Sequence, residues 1–97
     1  MKVRWTQTAR DDLKAVWDFI SRDSIFYANK FTDELLRATD VLEIFPEFGR
    51  IVPEIGDANT REIIYGSYRI MYLVGDGNVF VTQIVHGARD FKPEYEA

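Results

Sequence analysis

The sequence predicts an α+β fold in which an antiparallel pair of helices packs on an antiparallel β-meander. Three observations lead to this prediction. A short alternating segment opens the chain, and two segments follow in which apolar residues recur every three or four positions. The period then changes to two over three further segments separated by turn residues. A chain of 97 residues is one domain, so we expect residues 1–97 to fold together.

The composition is that of a globular protein, and it excludes several classes of function. The chain has no cysteine and one histidine, His86, which rules out a disulfide scaffold, a thiol nucleophile and a His/Cys zinc cluster. We therefore expect neither a metal nor a cofactor. No apolar run approaches the ~20 residues that span a bilayer, and no signal peptide is evident, so we expect a cytoplasmic protein without membrane contact. The net charge of -4 disfavours nonspecific binding to nucleic-acid phosphates.

The first elements are a strand and an amphipathic helix. Residues Lys2 to Trp5 alternate polar and apolar side chains, as a strand does. Thr8 is the expected N-cap of the helix, with Asp11 in its first turn, and the helix should run to about Arg22. Its apolar face consists of Ala9, Leu13, Val16, Trp17 and Ile20. We expect this face, including Trp17, to lie in the core.

The second helix has the clearest periodicity in the chain. Ser24 is its expected N-cap, and the helix should end before Pro46, because a residue that precedes proline is disfavoured in the α region. Its apolar residues are Ala28, Phe31, Leu35, Ala38, Leu42 and Phe45. The connection to the first helix is only two or three residues long, so the two helices should form an antiparallel hairpin.

A loop from Pro46 to Asn59 separates the helices from the meander. Its three predicted strands are Thr60 to Tyr65, Tyr68 to Val74 and Asn78 to His86. Gly66-Ser67 suits a two-residue type II′ turn, and Asp76-Gly77 suits a type I′ turn or a slightly longer loop that includes Gly75. The polar tail, Gly87 to Ala97, is expected to be irregular.

Both faces of the predicted meander carry apolar side chains. In the middle strand Met71 and Leu73 share a face with Arg69, and the other face carries Tyr68, Ile70, Tyr72 and Val74. Alternation in the last strand places Val79, Val81 and Val85 opposite Phe80 and Ile84. The helices can cover only one face of the sheet. We therefore expect the tail or a second protein to cover part of the other face.

Four motifs in the second half of the chain carry a family resemblance. They are Pro46-Glu47-Phe48-Gly49-Arg50, Thr60-Arg61-Glu62-Ile63, Tyr68-Arg69-Ile70-Met71-Tyr72 and Val85-His86-Gly87-Ala88-Arg89. In this order and behind a helical hairpin, they resemble the ParE/RelE superfamily of toxins from type II toxin–antitoxin systems, also known as plasmid stabilisation systems. The resemblance covers about residues 3–89 and implies the fold reached above from periodicity.

The resemblance also implies a function. RelE-like members cut messenger RNA in the ribosomal A site, whereas ParE-like members poison DNA gyrase, and a cognate antitoxin neutralises both. The motifs around Arg61, Arg69 and Arg89 are closer to ParE, and an acidic chain is ill suited to work among RNA phosphates. The expected partners are therefore an antitoxin and DNA gyrase, and the alternative targets are the ribosome and mRNA. Because toxins of both branches are commonly basic, a non-toxic, antitoxin-binding relative remains a third reading.

The candidate functional residues are three arginines and the histidine. Arg69 is either a cation on the target-facing surface or the partner of a cross-strand carboxylate such as Glu62. His86 is either a general base or a hydrogen-bonded residue at a strand end. The resemblance favours Arg89 as a contact with the target, and Arg61 is open to either reading.

Two further residues of the motifs are predicted to be structural. Gly49 should supply a turn with positive φ. Arg50 should tie the loop to the C-terminus of the second helix, where a cation is favourable.

Overall fold

The computed structural model describes residues 1–87 and confirms the predicted α+β architecture. Its elements are β1 (Lys2–Trp5), α1 (Gln7–Ser21), α2 (Ile25–Ala38), a 3₁₀ helix (Asp40–Glu43), β2 (Arg50–Ile51), β3 (Thr60–Tyr65), β4 (Tyr68–Gly75) and β5 (Asn78–His86). The predicted irregular tail lies, apart from Gly87, outside the described residues.

Helix α1 begins two residues earlier than predicted. Its N-cap is Thr6 and not Thr8: the Thr6 backbone is extended, and its hydroxyl accepts from the Ala9 N–H at 3.2 Å. The Thr6 N–H still donates to the carbonyl oxygen of Val81, at 3.0 Å. The hydrogen bonding between β1 and β5 thus continues to Thr6, and the helix begins at the next residue, Gln7. Asp11 accepts instead from the side chain of Gln7, at 2.9 Å.

Helix α2 starts as predicted but ends earlier. The hydroxyl of Ser24 accepts from the Tyr27 N–H at 3.1 Å, which confirms this N-cap. The helix ends at Ala38, because the N–H and hydroxyl of Thr39 both donate to the Leu36 carbonyl and tighten the chain into the 3₁₀ helix. Leu42 remains buried in this tighter turn. Phe45, which the longer helix would have buried, is 62% exposed.

The five strands form one sheet in the order β1-β5-β4-β3-β2. β1 lies parallel to β5, and the other neighbours are antiparallel. The short edge strand β2 lies within the segment that the sequence predicted to be a loop. Both predicted turns are present, since Gly66 has a φ of +57° ahead of Ser67, and both Asp76 and Gly77 have positive φ.

A β-bulge in β5 changes which of its side chains face the helices. Val81 pairs with Tyr72 and Gln83 pairs with Met71, which leaves Thr82 as the extra residue. Ile84 therefore joins Val79 and Val81 on the helix-facing side, and the predicted opposition of Ile84 to these valines is wrong. The side chain of Asp12 in α1 accepts from the Ile84 N–H at 2.9 Å and ties the helix to the strand just after the bulge.

The core lies between the helical hairpin and one face of the sheet. Its buried residues are Ala9, Val16, Leu35, Leu42, Ile63, Ile70, Tyr72, Val79, Val81 and Ile84. Trp17, predicted to be in the core, is instead half-buried between the helices, where its indole N–H donates to Asn29 at 2.8 Å. The polar edge of the indole needs a hydrogen-bond partner, and α2 supplies one at the hairpin surface.

Candidate functional site on the open face of the sheet

A groove of about 600 Å³ opens beside the turn between β3 and β4. Its walls come from β2, from the loop that follows β2, and from the ends of β3, β4 and β5. The residues that line it are Arg50, Pro53, Glu54, Ile64, Gly66, Ser67, Arg69, His86 and Gly87. The groove thus brings two of the predicted site residues, Arg69 and His86, to one place, together with the predicted structural residue Arg50.

Arg69 is buried and bound to two carboxylates. Its Nε donates to Glu62 at 2.6 Å, and its two terminal nitrogens donate to the two oxygens of Glu54 at 2.8 Å each. The hydrogen bond to Glu54 and, to a smaller extent, the hydrogen bond to Glu62 raise the pKa of the guanidinium above its ordinary value. Arg69 is only 5% exposed. The two carboxylates occupy the N–H edges of the guanidinium that a phosphate would use.

Glu62 joins Arg69 to Arg50 in a chain of four charges. The Glu62 side chain is fully buried, and its second oxygen accepts from the Nε of Arg50 at 2.6 Å. Arg50 therefore pairs across the β2–β3 ladder and not with the C-terminus of α2, so its predicted role is wrong. Once β2 forms, Arg50 lies directly opposite Glu62, and a carboxylate at 2.6 Å is a stronger partner than a helix end. Two positive and two negative charges balance along this face.

Arg61 performs the loop-binding role that was predicted for Arg50. Its Nε donates to the Ala58 carbonyl at 2.8 Å, and one terminal nitrogen donates to the Gly49 carbonyl at 3.0 Å. The same nitrogen lies 3.4 Å from the Glu47 carbonyl oxygen. Arg61 is half-buried, and its guanidinium is directed to backbone oxygens of the loop. It therefore acts first as a brace for residues 46–59.

Gly49 is required because Tyr72 approaches its backbone closely. The positive φ that the sequence predicted at Gly49 is wrong. A Cβ at this position would lie 2.7 Å from the Tyr72 hydroxyl and would also collide with the Glu62 carbonyl oxygen. The Gly49 N–H donates to the Tyr72 hydroxyl at 2.8 Å, and that hydroxyl donates to the Pro46 carbonyl at 2.7 Å. Burial raises the pKa of Tyr72, which keeps the hydroxyl protonated as this donation requires.

His86 is exposed at the end of β5 and stacks edge-on against Tyr68, with ring centroids 5.3 Å apart. It lines the groove beside Arg69 and also a second groove, of about 540 Å³, between α1 and the end of β5. The predicted contact residue Arg89 lies outside the described residues.

Three residues of this region were not identified from the sequence. Glu54 holds Arg69, Tyr72 holds the loop at Pro46 and Gly49, and Asp12 holds β5. Glu54 lies in a loop and Asp12 on a helix, and nothing local in the sequence shows which strand each one reaches. Tyr72 stands in a recognised motif, but its partner is 23 residues away.

Over residues 1–87, neither helix is long and apolar enough to cross a membrane. The same described part of the chain holds no cluster of three or more histidine, aspartate or glutamate side chains arranged to bind a metal ion.

The fold and motifs define a toxin of the ParE/RelE class. Residues 3–91 match the family described as the ParE toxin of the type II toxin–antitoxin system parDE, and the chain belongs to this family. It is 37% identical over 89 residues to Toxin RelE2 of Caulobacter vibrioides, an alignment that covers 91% of this chain and 97% of the relative. The protein is thus a type II toxin of the ParE/RelE family.

A solved structure has the same fold. A chain from the chromosomal ParDE toxin–antitoxin system of P. aeruginosa superposes with a TM-score of 0.73 at 18% identity, covering 89% of this chain and 95% of that one. A chain from the RelBE2 toxin–antitoxin complex of Mycobacterium tuberculosis gives a TM-score of 0.47 at 25% identity, with 88% and 95% covered.

Proposed function

We propose that this protein is a ParE-like toxin that acts by binding a protein, DNA gyrase, and that a cognate antitoxin neutralises it. The toxin would dock on gyrase and stabilise the state in which the enzyme has cleaved DNA. In this proposal the toxin performs no chemistry of its own, and its arginines serve as structural braces or protein contacts.

The ion pairs of Arg69 carry this proposal. A nuclease of this fold needs a cation that can stabilise charge developing on a phosphate. Here both oxygens of Glu54 bind the terminal nitrogens of the guanidinium, and Glu62 binds its Nε. RNA would therefore have to displace a bidentate carboxylate from a side chain in a residue that is only 5% exposed. The balanced charges of the groove and the net charge of -4 add no attraction for a polyanion.

Exposed apolar side chains at the end of the helical hairpin support the antitoxin as a partner. Phe19, Ile25, Phe26 and Tyr27, which we call the hairpin surface, are each more than 60% exposed. Four large apolar residues so close together are typical of a protein–protein interface. The groove between α1 and the end of β5 leads away from Phe19 to His86. An amphipathic or extended antitoxin segment that folds on binding fits this surface.

A RelE-like endoribonuclease that acts on mRNA in the ribosome is the alternative function. It is favoured by one feature of the geometry, because His86 and Arg69 line the same groove and could flank a phosphodiester. The Caulobacter vibrioides relative also bears the name Toxin RelE2. A non-toxic, antitoxin-binding relative is the third reading, and the acidic charge favours it.

Induced expression in a bacterial host without the antitoxin separates these functions. Growth, an SOS reporter and the 5′ ends of cellular mRNA are followed after induction. Growth arrest with SOS induction and intact mRNA is the expected result. Rapid arrest of translation with cuts in A-site codons would replace gyrase by the ribosome, and unimpaired growth would leave only the antitoxin-binding reading.

A further inference from the structure

The segment between the 3₁₀ helix and β2 presents a second group of exposed apolar side chains. Ile44 is 74% exposed, and Phe45 and Phe48 are 62% exposed each. We call residues 44–49 the aromatic turn. These three side chains fall within five consecutive residues, whereas apolar residues scattered singly over a surface need no explanation. The hairpin surface belongs to other elements of the fold, α1 and α2, so the aromatic turn is distinct from it.

The backbone of the aromatic turn is fixed from the inside. The Phe48 N–H donates to the Phe45 carbonyl at 3.0 Å, and Pro46 occupies the second position of this turn, where its ring pre-sets φ. The Tyr72 hydroxyl binds the turn at both Pro46 and Gly49. The Arg61 guanidinium binds the carbonyls of Glu47 and Gly49. The exposed rings are therefore held on a preorganised scaffold, which lowers the entropy cost of docking them on a partner.

The aromatic turn lies within an acidic segment of the chain. Residues 38–49 contain three carboxylates, those of Asp40, Glu43 and Glu47, and no lysine or arginine. All three acidic residues are exposed. The cations that adjoin this segment are already bound: Arg50, which follows it, pairs with Glu62 at 2.6 Å. The Met1 ammonium donates to the Glu43 carbonyl at 2.9 Å, and Arg61 is directed to the Gly49 carbonyl. Such a rim attracts lysines and arginines and repels nucleic acid.

We propose that the aromatic turn is the surface by which the toxin docks on its folded protein target, in an apolar socket rimmed by lysine and arginine. This inference rests on the proposed function, because it requires a protein target. The rigid turn suits a partner that is itself folded, whereas the open helix faces of the hairpin surface suit an antitoxin segment that folds on binding. Arg61 and Tyr72 are then positioning residues that hold the two phenylalanines outward.

The experiment compares the wild-type chain with a Phe45→Ser/Phe48→Ser double variant. The matched control is Leu36→Ser, a partly exposed apolar residue of α2 that belongs to neither apolar surface. Growth inhibition and SOS induction are measured in a bacterial host without antitoxin. Circular dichroism checks folding, and affinity is measured for purified DNA gyrase and for the product of the neighbouring gene, which is the probe for the antitoxin.

We expect the wild type and Leu36→Ser to arrest growth and the double variant to lose this effect. Its affinity for gyrase should fall about tenfold or more, as for truncation of interface anchors, while it still binds the neighbouring gene product. Equal toxicity of the folded double variant would overturn the proposal. Loss of binding to the neighbouring gene product would also overturn the proposal, because the aromatic turn would then be part of the antitoxin interface.

A charge-reversed variant keeps the test decisive if the double variant fails to fold. Glu43→Lys/Glu47→Lys alters exposed residues alone, and it should slow association with gyrase and reduce growth inhibition. Unchanged toxicity of this variant would contradict the basic rim of the socket. The wild type could instead arrest growth without SOS induction, with both variants abolishing the arrest. That result would refute gyrase as the target but would still support the aromatic turn as the docking surface. A wild-type chain without any effect on growth would refute both.

Discussion

Replacing Gly49 with alanine tests whether the loop is pinned to Tyr72 as described. The new methyl group would lie 2.7 Å from the Tyr72 hydroxyl and 2.8 Å from its ring, so either the loop or the tyrosine must move. Overpacking of this kind costs ~1–3 kcal/mol. The movement also weakens the bonds of the buried hydroxyl to Gly49 and Pro46, and leaving such a group unsatisfied costs a further ~1–3 kcal/mol.

The expected loss of unfolding free energy is therefore about 2–6 kcal/mol, a large share of the ~5–15 kcal/mol that stabilises a typical domain. In a chain of this size it corresponds to a fall in the melting temperature of roughly 10 °C or more. Urea and thermal unfolding, followed by circular dichroism, measure both quantities.

Gly75→Ala is the matched control for this substitution. Gly75 ends strand β4, its φ is not positive, and a Cβ there would meet nothing within 4 Å. The same glycine-to-alanine change should therefore leave stability unchanged within about 0.5 kcal/mol or raise it slightly. Equal unfolding midpoints for the two variants would refute the close contact between Gly49 and Tyr72 and, with it, the rigidity of the aromatic turn.

Three further predictions concern the core, the antitoxin and the site. Leu35→Ala empties a fully buried position on α2 and should cost about 2–5 kcal/mol, and an unchanged urea midpoint would show that the register of the helix is wrong. The free protein should be poorly soluble and should melt at a markedly higher temperature with antitoxin, so a monodisperse, very stable free protein that gains nothing from the neighbouring gene product would contradict the antitoxin proposal. Arg89→Ala should abolish toxicity while the exposed His86→Gln retains it, provided that both variants fold and bind antitoxin. A nuclease that uses His86 as its base would instead lose roughly 10²–10⁴-fold in mRNA cleavage with His86→Gln.

Much of the fold follows from signals that are local in the sequence. The Ser24 cap and the turns at Gly66 and at Asp76-Gly77 were predicted, because each depends on the conformation of one or two residues. The end of α2 was wrong because Pro46 sets only an upper limit to the helix, and the hydroxyl of Thr39 ends it sooner. The bulge at Thr82 was missed because it is defined by pairing with β4 and leaves no local pattern.

The candidate site was predictable only where both partners lie on adjacent strands. Glu62 was named as a possible partner of Arg69 because the two fall on neighbouring strands across a short turn. Glu54 was not, because its loop reaches Arg69 only after β2 has paired with β3. Arg50 was wrongly expected at the C-terminus of α2 for the same reason, since the β2–β3 register decides that its guanidinium meets Glu62 and that of Arg61 meets the loop.

The most direct test of the account is a DNA cleavage assay with purified gyrase. Supercoiled plasmid, gyrase and ATP are incubated with increasing amounts of the toxin, and linear DNA is quantified after protein digestion. The account predicts that linear DNA accumulates with toxin concentration and disappears when the antitoxin is added first. Unchanged plasmid at every toxin concentration, together with A-site cuts in mRNA when the same protein is added to translating ribosomes, would contradict it.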